Sequence, residues 1–215
     1  MQKPGFRYDV QALRGLAVLL VMLFHANTSW SPGGFLGVDI FFTISGFVIF
    51  RLIDHELRAT GAFRFSGFYA RRVVRLFPAL FATVALTVLF SLVLLPADQL
   101  RDILDSALAA ALSVANVYFY LDSGYFAAQA IEKPLLHLWS LGVEEQFYLA
   151  FPLLVLGIAA LSTRFKIAAL MVVTVFGAML SQHYVNTNPD AAFYLPFQRV
   201  FQFTAGAVVA LLPPP

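Results

Sequence analysis

The sequence predicts an all-α, polytopic transmembrane helix bundle, on the evidence of its composition and its long apolar windows. Of the 215 residues, 60% are hydrophobic and 12% are charged. An ordinary soluble domain carries roughly 25% charged residues. Because one bilayer crossing needs about 20 apolar residues, the apolar content accounts for about seven crossings. The composition therefore excludes a conventional water-soluble globule.

Seven apolar windows match that count. The first follows Lys3 and Arg7 and looks superficially like a secretory signal, but it contains Arg14 and His25, which the apolar core of a signal lacks. We therefore interpret it as a retained helix. The predicted windows are residues 10–26, 38–53, 77–95, 103–121, 145–161, 167–180 and 196–212.

Arginines carry the charge asymmetry that orients the chain. Residues 51–75 contain six arginines, whereas residues 27–37 contain no charge. The positive-inside rule then places the N-terminus and the arginine loop in the cytoplasm. After residue 96 the topology stays open, because strict alternation puts Arg164 and Lys166 outside. Either the window 103–121 does not fully cross the membrane, or the charge bias in this region is too weak to indicate the orientation.

Charge and cysteine content exclude further classes of protein. The formal net charge is +2 and the chain has no cysteine. Nucleic-acid binding, disulfide frameworks, thiolate nucleophiles and cysteine-ligated metals are therefore not expected, and we predict no metal site. No linker divides the chain, so residues 1–215 are expected to form a single transmembrane domain. The sequence stops directly after an apolar run, which predicts a longer protein.

The first window carries two ionisable groups, Arg14 and His25, each costing about 2.5 to 3.5 kcal/mol at a helix centre. Their spacing of 11 residues places them on one helix face, about 16.5 Å apart along the axis. If the two side chains cooperate, an extended molecule must lie between them. His25 is either a general base or a buried polar contact, and Arg14 is either a functional cation or a snorkelling side chain.

Asp39 lies in the glycine-punctuated stretch PGGFLGVDIFFTISGF, near the outer end of the second window. Glycines permit tight chain entry and close helix packing. If the first two helices are antiparallel neighbours, Asp39 lies in the same layer as His25 and orients or charge-stabilises the imidazole. The alternative is an interfacial carboxylate at a helix N-terminus, which the helix dipole favours.

An arginine cluster, Arg71, Arg72 and Arg75, lies in the segment FYARRVVRLFP. Like charges at helical spacing repel, so an anion stabilises such a cluster, and guanidinium forks match phosphate oxygens. The cluster therefore binds either an anionic ligand or the anionic headgroups of membrane lipid.

The segment PLLHLWSLGVEEQFYLAFP carries a further polar group. If a helix begins at His137, then His137, Glu144 and Tyr148 form one stripe on it, and Trp139 lies nearby in sequence. Such a stripe on an apolar helix predicts a buried hydrogen-bonded site, with His137, Tyr148 and Trp139 as substrate-site candidates. The alternative is that Glu144 and Glu145 only mark the start of an interfacial helix.

These four features, in this order and spacing, resemble acyltransferase family 3. This family of integral membrane proteins includes bacterial O-antigen and peptidoglycan O-acetyltransferases. The resemblance spans residues 6–210. Family members have about ten transmembrane helices, so the chain looks like the N-terminal portion of such a domain, with the C-terminal helices missing.

The resemblance implies transfer of an acyl group, most often acetyl, from cytoplasmic acetyl-CoA to a hydroxyl of a cell-envelope or exported carbohydrate. The location it implies is the bacterial inner membrane. It matches His25 to the essential histidine of the family and Arg14 to its paired basic residue. Asp39 and Glu144 are candidate orienters of His25, and Glu144 matches the acidic residue of the WSLxxE pattern. Arg71, Arg72 and Arg75 match the cytoplasmic arginine motif of the family, and we expect these three residues and Arg14 to bind the anionic end of the donor.

The implied partners are membrane lipid and a carbohydrate acceptor, and some relatives also carry an extracytoplasmic esterase-like domain. Many relatives have a glutamate where this chain has Gln202, so no acid role is assigned there, and Arg199 nearby is a possible headgroup anchor. The alternative function is a secondary transporter or flippase for an acyl group or lipid-linked sugar. Buried His, Arg and Glu also suit proton relays, and glycine-broken helices suit transport sites.

Overall fold

The computed structural model describes residues 7–123 and 133–213, and within those ranges it contains helices and no strand. This confirms the all-α prediction. Lys3 and part of the segment 122–136, on which the predicted topology depends, lie outside the described residues. The helices are α1 (Tyr8–Ala26), α2 (Leu36–Thr60), α3 (Phe65–Leu94), α4 (Ala97–Ala111), α5 (Ala115–Leu121), α6 (Trp139–Gly157), α7 (Thr163–Thr187), α8 (Pro189–Tyr194) and α9 (Val200–Leu211).

Four of the described helices, α1, α2, α3 and α7, are long and apolar enough to cross a membrane. The expected count of about seven crossings is not confirmed. Helix α9 has 12 residues, and the window 103–121 is divided between α4 and α5. The division occurs at Ser113, whose φ of 61° is left-handed and cannot continue a right-handed helix.

The arginine stretch is helical, and the expectation of a loop there is wrong. Helix α2 continues to Thr60, Gly61 turns the chain with a φ of 71°, and α3 begins at Phe65, well before the predicted window. Arginine favours helix, and its long stem lets the charged end reach polar surroundings from an apolar helix. The arginine cluster is therefore carried on a rigid helix whose spacing is fixed.

Contacts divide the chain into two compact units. The first unit consists of Met1–Asp54, Val155–Gly177 and Val200–Pro215, and the second consists of His55–Leu154 and Ala178–Arg199. The candidate residues fall into both. Arg14, His25 and Asp39 belong to the first unit, whereas the arginine cluster and Glu144 belong to the second.

In the first unit, α2 and α9 cross with their backbones in contact. A Cβ atom on Gly46 would overlap the carbonyl oxygen of Phe203, and one on Gly206 would overlap that of Thr43. Phe42 and Phe203 stack beside the crossing, with ring centroids 4.8 Å apart. Because the overlapped atoms belong to the backbone, this crossing admits only glycine, and it brings the Asp39 end of α2 against α9.

In the second unit, a pair of amides joins α5 to α6. Asn116 Nδ2 donates to Gln146 Oε1 at 3.3 Å, and Gln146 Nε2 donates back to Asn116 Oδ1 at 2.8 Å. The same two amides donate to the carbonyls of Tyr194 and Ser113 at 3.1 and 2.9 Å. Asn116 is fully buried, so a satisfied network of this kind fixes one packing arrangement. It sets the register of the α6 turn that carries the two glutamates.

Candidate functional site

His25 lies in the last turn of α1, where its imidazole is exposed. Its Nδ1 lies 2.8 Å from the carbonyl oxygen of Val21. A carbonyl only accepts, so Nδ1 carries the proton of the neutral ring and Nε2 keeps its lone pair. The backbone of α1 itself therefore sets the tautomer that a general base requires. The sequence contained no signal for this partner, because any residue at position 21 supplies the carbonyl.

Arg14 lies on the same continuous helix as His25, as predicted. Its guanidinium carbon lies 4.9 Å from the centroid of the Phe41 ring of α2. A guanidinium over an aromatic face is attracted by the ring quadrupole, most strongly where water is excluded. The Arg14 side chain is half-buried, so this contact directs it towards α2 within the first unit.

Asp39 contacts α9 through Gln202. Gln202 Nε2 donates to Asp39 Oδ1 at 3.0 Å, and Gln202 is buried. An amide can donate to a carboxylate at this distance, whereas a second carboxylate would have to be protonated. The glutamine at position 202 therefore supplies a hydrogen-bond donor to Asp39. The role of Asp39 as an orienter of His25 stays a prediction.

The arginine cluster has an acidic partner that the sequence analysis missed. Glu56, near the end of α2, places Oε2 3.6 Å from Arg71 Nη2 and accepts a hydrogen bond from the backbone N–H of Arg64 at 3.0 Å. The signal was available, because Glu56 is one of two acidic residues among the six arginines of residues 51–75. Arg75 is exposed and, among the described residues, forms no ion pair.

Arg72 points instead towards α6. Its guanidinium carbon lies 5.8 Å from the ring centroid of Phe68 and 5.7 Å from that of Tyr148. The Tyr148 hydroxyl donates to a carboxylate oxygen of Glu144, which is 4% exposed. The stripe on α6 thus brings Glu144 and Tyr148 into contact and extends to Arg72. The arrangement stabilises a buried carboxylate with a hydroxyl and a nearby cation.

His137 is not part of the α6 helix, so the expectation that the helix begins there is wrong. It lies in a 3₁₀ turn, Leu136–Leu138, and its Nδ1 lies 3.1 Å from the Pro134 carbonyl. A 3₁₀ turn rotates about 120° per residue instead of about 100°, which shifts His137 from the phase of the predicted stripe.

Trp139 and Arg199 belong to an aromatic cluster. The Arg199 guanidinium carbon lies 5.6 Å from the Trp139 ring and 5.3 Å from the Phe193 ring, and its Nε donates to the Phe193 carbonyl at 3.1 Å. Trp139 is only 7% exposed, and Tyr194 packs edge-on against it. Burial raises the pKa of the Tyr194 phenol, which therefore stays neutral. These contacts fix the start of α6, and a role of Trp139 towards substrate stays a prediction.

A cleft opens beside Glu145 in the second unit, with about 450 Å³ of empty space, part of it open to the surroundings. Helix α3 contributes Arg72 and Val73 to its lining, and α6 contributes Glu145 and Tyr148. The surface that its walls expose is almost wholly apolar, even though two charged residues are among its lining. Within residues 7–123 and 133–213, no cluster of three His, Asp or Glu side chains is arranged to hold a metal ion.

The family model described as an acyltransferase domain matches residues 7–214 of the chain. The chain is 35% identical, over its whole length, to O-acetyltransferase OatA of Staphylococcus aureus strain NCTC 8325 / PS 47, of which it covers 36%. It is 33% identical over its whole length to putative O-acetyltransferase SAS0844 of S. aureus strain MSSA476, again covering 36%. The chain thus spans about a third of the length of these curated relatives. No solved structure gives a significant match.

Proposed function

This chain belongs to acyltransferase family 3, and on that premise we propose that it is a membrane-bound O-acyltransferase. The donor is cytoplasmic acyl-CoA, most often carrying acetyl, and the acceptor is a hydroxyl of a cell-envelope or exported carbohydrate. The O-acetyltransferase names of its relatives support the reaction class. The four membrane-capable helices make it an integral membrane protein.

The observation that carries the proposal is the tautomer of His25. With Nδ1 donating to the Val21 carbonyl, Nε2 is available to accept a proton, and the ring is exposed. An exposed imidazole in this state is suited to general-base catalysis, which typically supplies about 10² to 10⁴-fold in rate.

In the proposed reaction, Nε2 of His25 takes the proton of an acceptor hydroxyl while the hydroxyl oxygen attacks the carbonyl carbon of the thioester. The carbonyl–sulfur bond breaks, the ester forms, and the CoA sulfur leaves and takes up the proton from the imidazolium. Acylation of Nε2 itself, followed by transfer to the hydroxyl, balances equally well. Direct transfer and a covalent acyl-histidine both use the same nitrogen.

The arginine cluster is the proposed site for the anionic end of the donor. Arg75 is exposed without an ion pair among the described residues, and Arg71 is half-exposed, so both can reach phosphate oxygens. Arg14 is the proposed second cation, on the helix that carries His25. Membrane lipid surrounds the apolar helices, and no metal is assigned to the reaction.

The proposed location is the bacterial inner membrane with a cytoplasmic N-terminus. The six arginines of residues 51–75 support this orientation through the positive-inside rule. A carbohydrate acceptor then requires that the acyl group, or its carrier, reach the outer face. A separate or C-terminal extracytoplasmic esterase-like domain, as in some members of the family, is the proposed partner for that step.

The test is release of the acetyl group from labelled acetyl-CoA by membranes containing the full-length protein. His25→Ala is compared with wild type at matched expression, and His183→Ala, an exposed histidine of α7, is the control. We expect His25→Ala to lose at least about 10²-fold in turnover and His183→Ala to lose none.

Equal turnover in wild type and His25→Ala would contradict the catalytic assignment. If substrate also moved across the membrane without consumption of acetyl-CoA and followed the proton gradient, the protein would instead be a transporter or flippase.

A further inference from the structure

The cleft of the second unit follows one face of α3 and exposes an almost wholly apolar surface. Its α3 residues recur at the three- and four-residue spacing of a single helix face, and they are Tyr69, Arg72, Val73, Leu76 and Phe77. Both carboxylate oxygens of Glu145 and the Nε atom of Arg72 are buried, so these polar atoms do not face an occupant. The part of a ligand that enters this cleft is therefore apolar.

The size of the cleft selects a slim occupant. Tyr69 and Phe77 are eight residues apart, so the lined face extends about 12 Å along α3. A helix segment of that length, with a diameter of about 10 Å, fills roughly 900 Å³. The cleft offers about 450 Å³, part of it open to the surroundings. An alkyl chain fits this space, whereas a helix of a second protein chain does not.

The length of α3 places the cleft at the edge of the hydrocarbon core. Its 30 residues are about 45 Å long, whereas the core is about 30 Å thick and is crossed by about 20 residues. The last 20 residues of α3 begin at Arg75 and contain no other charge. Arg72 therefore lies at the level of the lipid headgroups, and Leu76 and Phe77 lie where the acyl chains begin.

Cations border the cleft at the level of the headgroups. Arg72 lies at one edge of the lined face, and Arg75 follows it by three residues, about 60° around the helix. Arg75 is exposed and forms no ion pair among the described residues, and its long stem can reach towards the headgroups. Planar guanidinium groups match phosphate oxygens. A ligand that joins an apolar chain to a negatively charged phosphate matches both the cleft and its edge.

We propose that this cleft binds an anionic phospholipid, with one acyl chain along the α3 face and the phosphate at Arg75. Basic sites between transmembrane helices on the cytoplasmic side typically bind anionic headgroups. The proposal goes beyond the proposed function, because the lipid is not a reactant. Where both proposals hold, the phospholipid competes with the anionic end of the donor for Arg75.

The headgroup is tested with two lipids that share their chains and differ in charge. The full-length protein is stripped of lipid in detergent, and native mass spectrometry measures its binding of dioleoyl phosphatidylglycerol and dioleoyl phosphatidylcholine. We expect phosphatidylglycerol to bind about fivefold more tightly, which is the contribution of about one cation. Arg75→Gln is expected to remove most of this preference. Arg101→Gln, which changes an exposed arginine of α4, is expected to keep it.

Two neighbouring valines of α3 test the chain site. Val73 lines the cleft and is 44% exposed, whereas Val74 is 75% exposed and does not line it. We expect Val73→Phe to weaken binding of both lipids by about tenfold, because the ring takes the space of buried methylene groups. Val74→Phe is expected to change neither affinity. Glycerol 3-phosphate, which lacks acyl chains, is expected to bind at least about a hundredfold more weakly than phosphatidylglycerol.

Four results would overturn the assignment. Equal affinity of the wild type for the two lipids removes the phosphate from Arg75, and unchanged affinity in Val73→Phe removes the chain from the cleft. Glycerol 3-phosphate that binds as tightly as phosphatidylglycerol assigns the arginines to a free phosphate. A dimer that only Val73→Phe dissociates assigns the cleft to a second copy of the chain. No probe contains CoA, so the outcome is separate from that of the acetyl-CoA assay.

Discussion

The candidate residues of the first unit and those of the second unit lie in different surroundings. In the first, His25 and Arg14 contact a backbone carbonyl and an aromatic ring, and Asp39 receives a hydrogen bond from an uncharged amide. In the second, charged groups contact one another, since Glu56 approaches Arg71 and Arg72 lies beside the Tyr148–Glu144 pair.

This difference separates two kinds of chemistry. Among the described contacts, His25 interacts with neutral groups, the Val21 carbonyl and the Phe24 ring. In the second unit, carboxylates and aromatic rings hold guanidinium groups in place, and planar guanidinium groups match the phosphate oxygens of an anion. The proposed function accordingly assigns the chemical step to His25 in the first unit and the anionic end of the donor to the arginine cluster in the second.

The largest effect is expected at the α2–α9 crossing of the first unit. Gly206→Ala places a Cβ atom against the backbone of Thr43 and Phe47, which cannot move aside as a side chain would. We expect about 3 kcal/mol of destabilisation from this overpacking, measured by thermal or denaturant unfolding in detergent.

Gly15→Ala is the control for that measurement. It lies in α1 of the same unit, and nothing lies within 4 Å of its added Cβ, so a neutral or slightly stabilising change is expected. Equal stability of Gly206→Ala and Gly15→Ala would show that the crossing is not closely packed in the membrane.

The second prediction concerns the amide that contacts Asp39. Gln202→Leu removes a donor from a carboxylate, and we expect about 2 kcal/mol of destabilisation in the same unfolding assay. Gln198→Leu is the matched control, because the side-chain oxygens of Gln198 and Gln202 are both buried without a partner, so the loss of the donor to Asp39 is what Gln202→Leu adds. A larger loss in Gln198→Leu than in Gln202→Leu would remove the special role of the Asp39 contact.

The third prediction separates the arginines of the second unit. Lysine keeps the charge of Arg72 but not the planar guanidinium over Phe68 and Tyr148, so Arg72→Lys is expected to cost about 1 kcal/mol. Arg75→Lys is expected to leave the unfolding midpoint unchanged, because Arg75 is exposed. If both variants lose the same stability, Arg72 has no structural role that Arg75 lacks.

The smallest effect is expected at Glu56. Its pair with the half-exposed Arg71 contributes about 0.5 kcal/mol at most, so Glu56→Gln changes stability little. Removing a negative charge beside the arginine cluster is expected to lower the KM for acyl-CoA severalfold at low salt, with the effect shrinking as ionic strength rises.

Asp54→Asn is the comparison for Glu56→Gln. Asp54 lies 3.6 Å from Lys166 in the first unit, so Asp54→Asn removes a similar ion pair from the unit that does not contain the arginine cluster. An equal fall in KM for Asp54→Asn would show a general charge effect and not a local one.

Sequence patterns predicted the elements with the strongest periodic or compositional signal. The extent of α1, the shared face of Arg14 and His25, and the contact between Glu144 and Tyr148 all follow from 3.6-residue periodicity. The same reasoning misplaced the start of α3 and the start of α6. A hydropathy window begins only where the charged residues end, whereas α3 already includes the arginines. A 3₁₀ turn precedes α6 without any change in hydropathy, so the pattern did not mark where the α-helix begins.

The sequence by itself determined that this protein is a helical membrane protein, and it predicted the arginine cluster and His25 as candidates for the chemistry. Apolar content and intramembrane charge are local properties of the chain, so composition and spacing suffice to recognise them. Only the tertiary structure decided the break at Ser113, the partnership of Gln202 with Asp39, and the isolation of Glu145 beside a cleft. These depend on which helices meet and at what register, and packing between distant segments determines that.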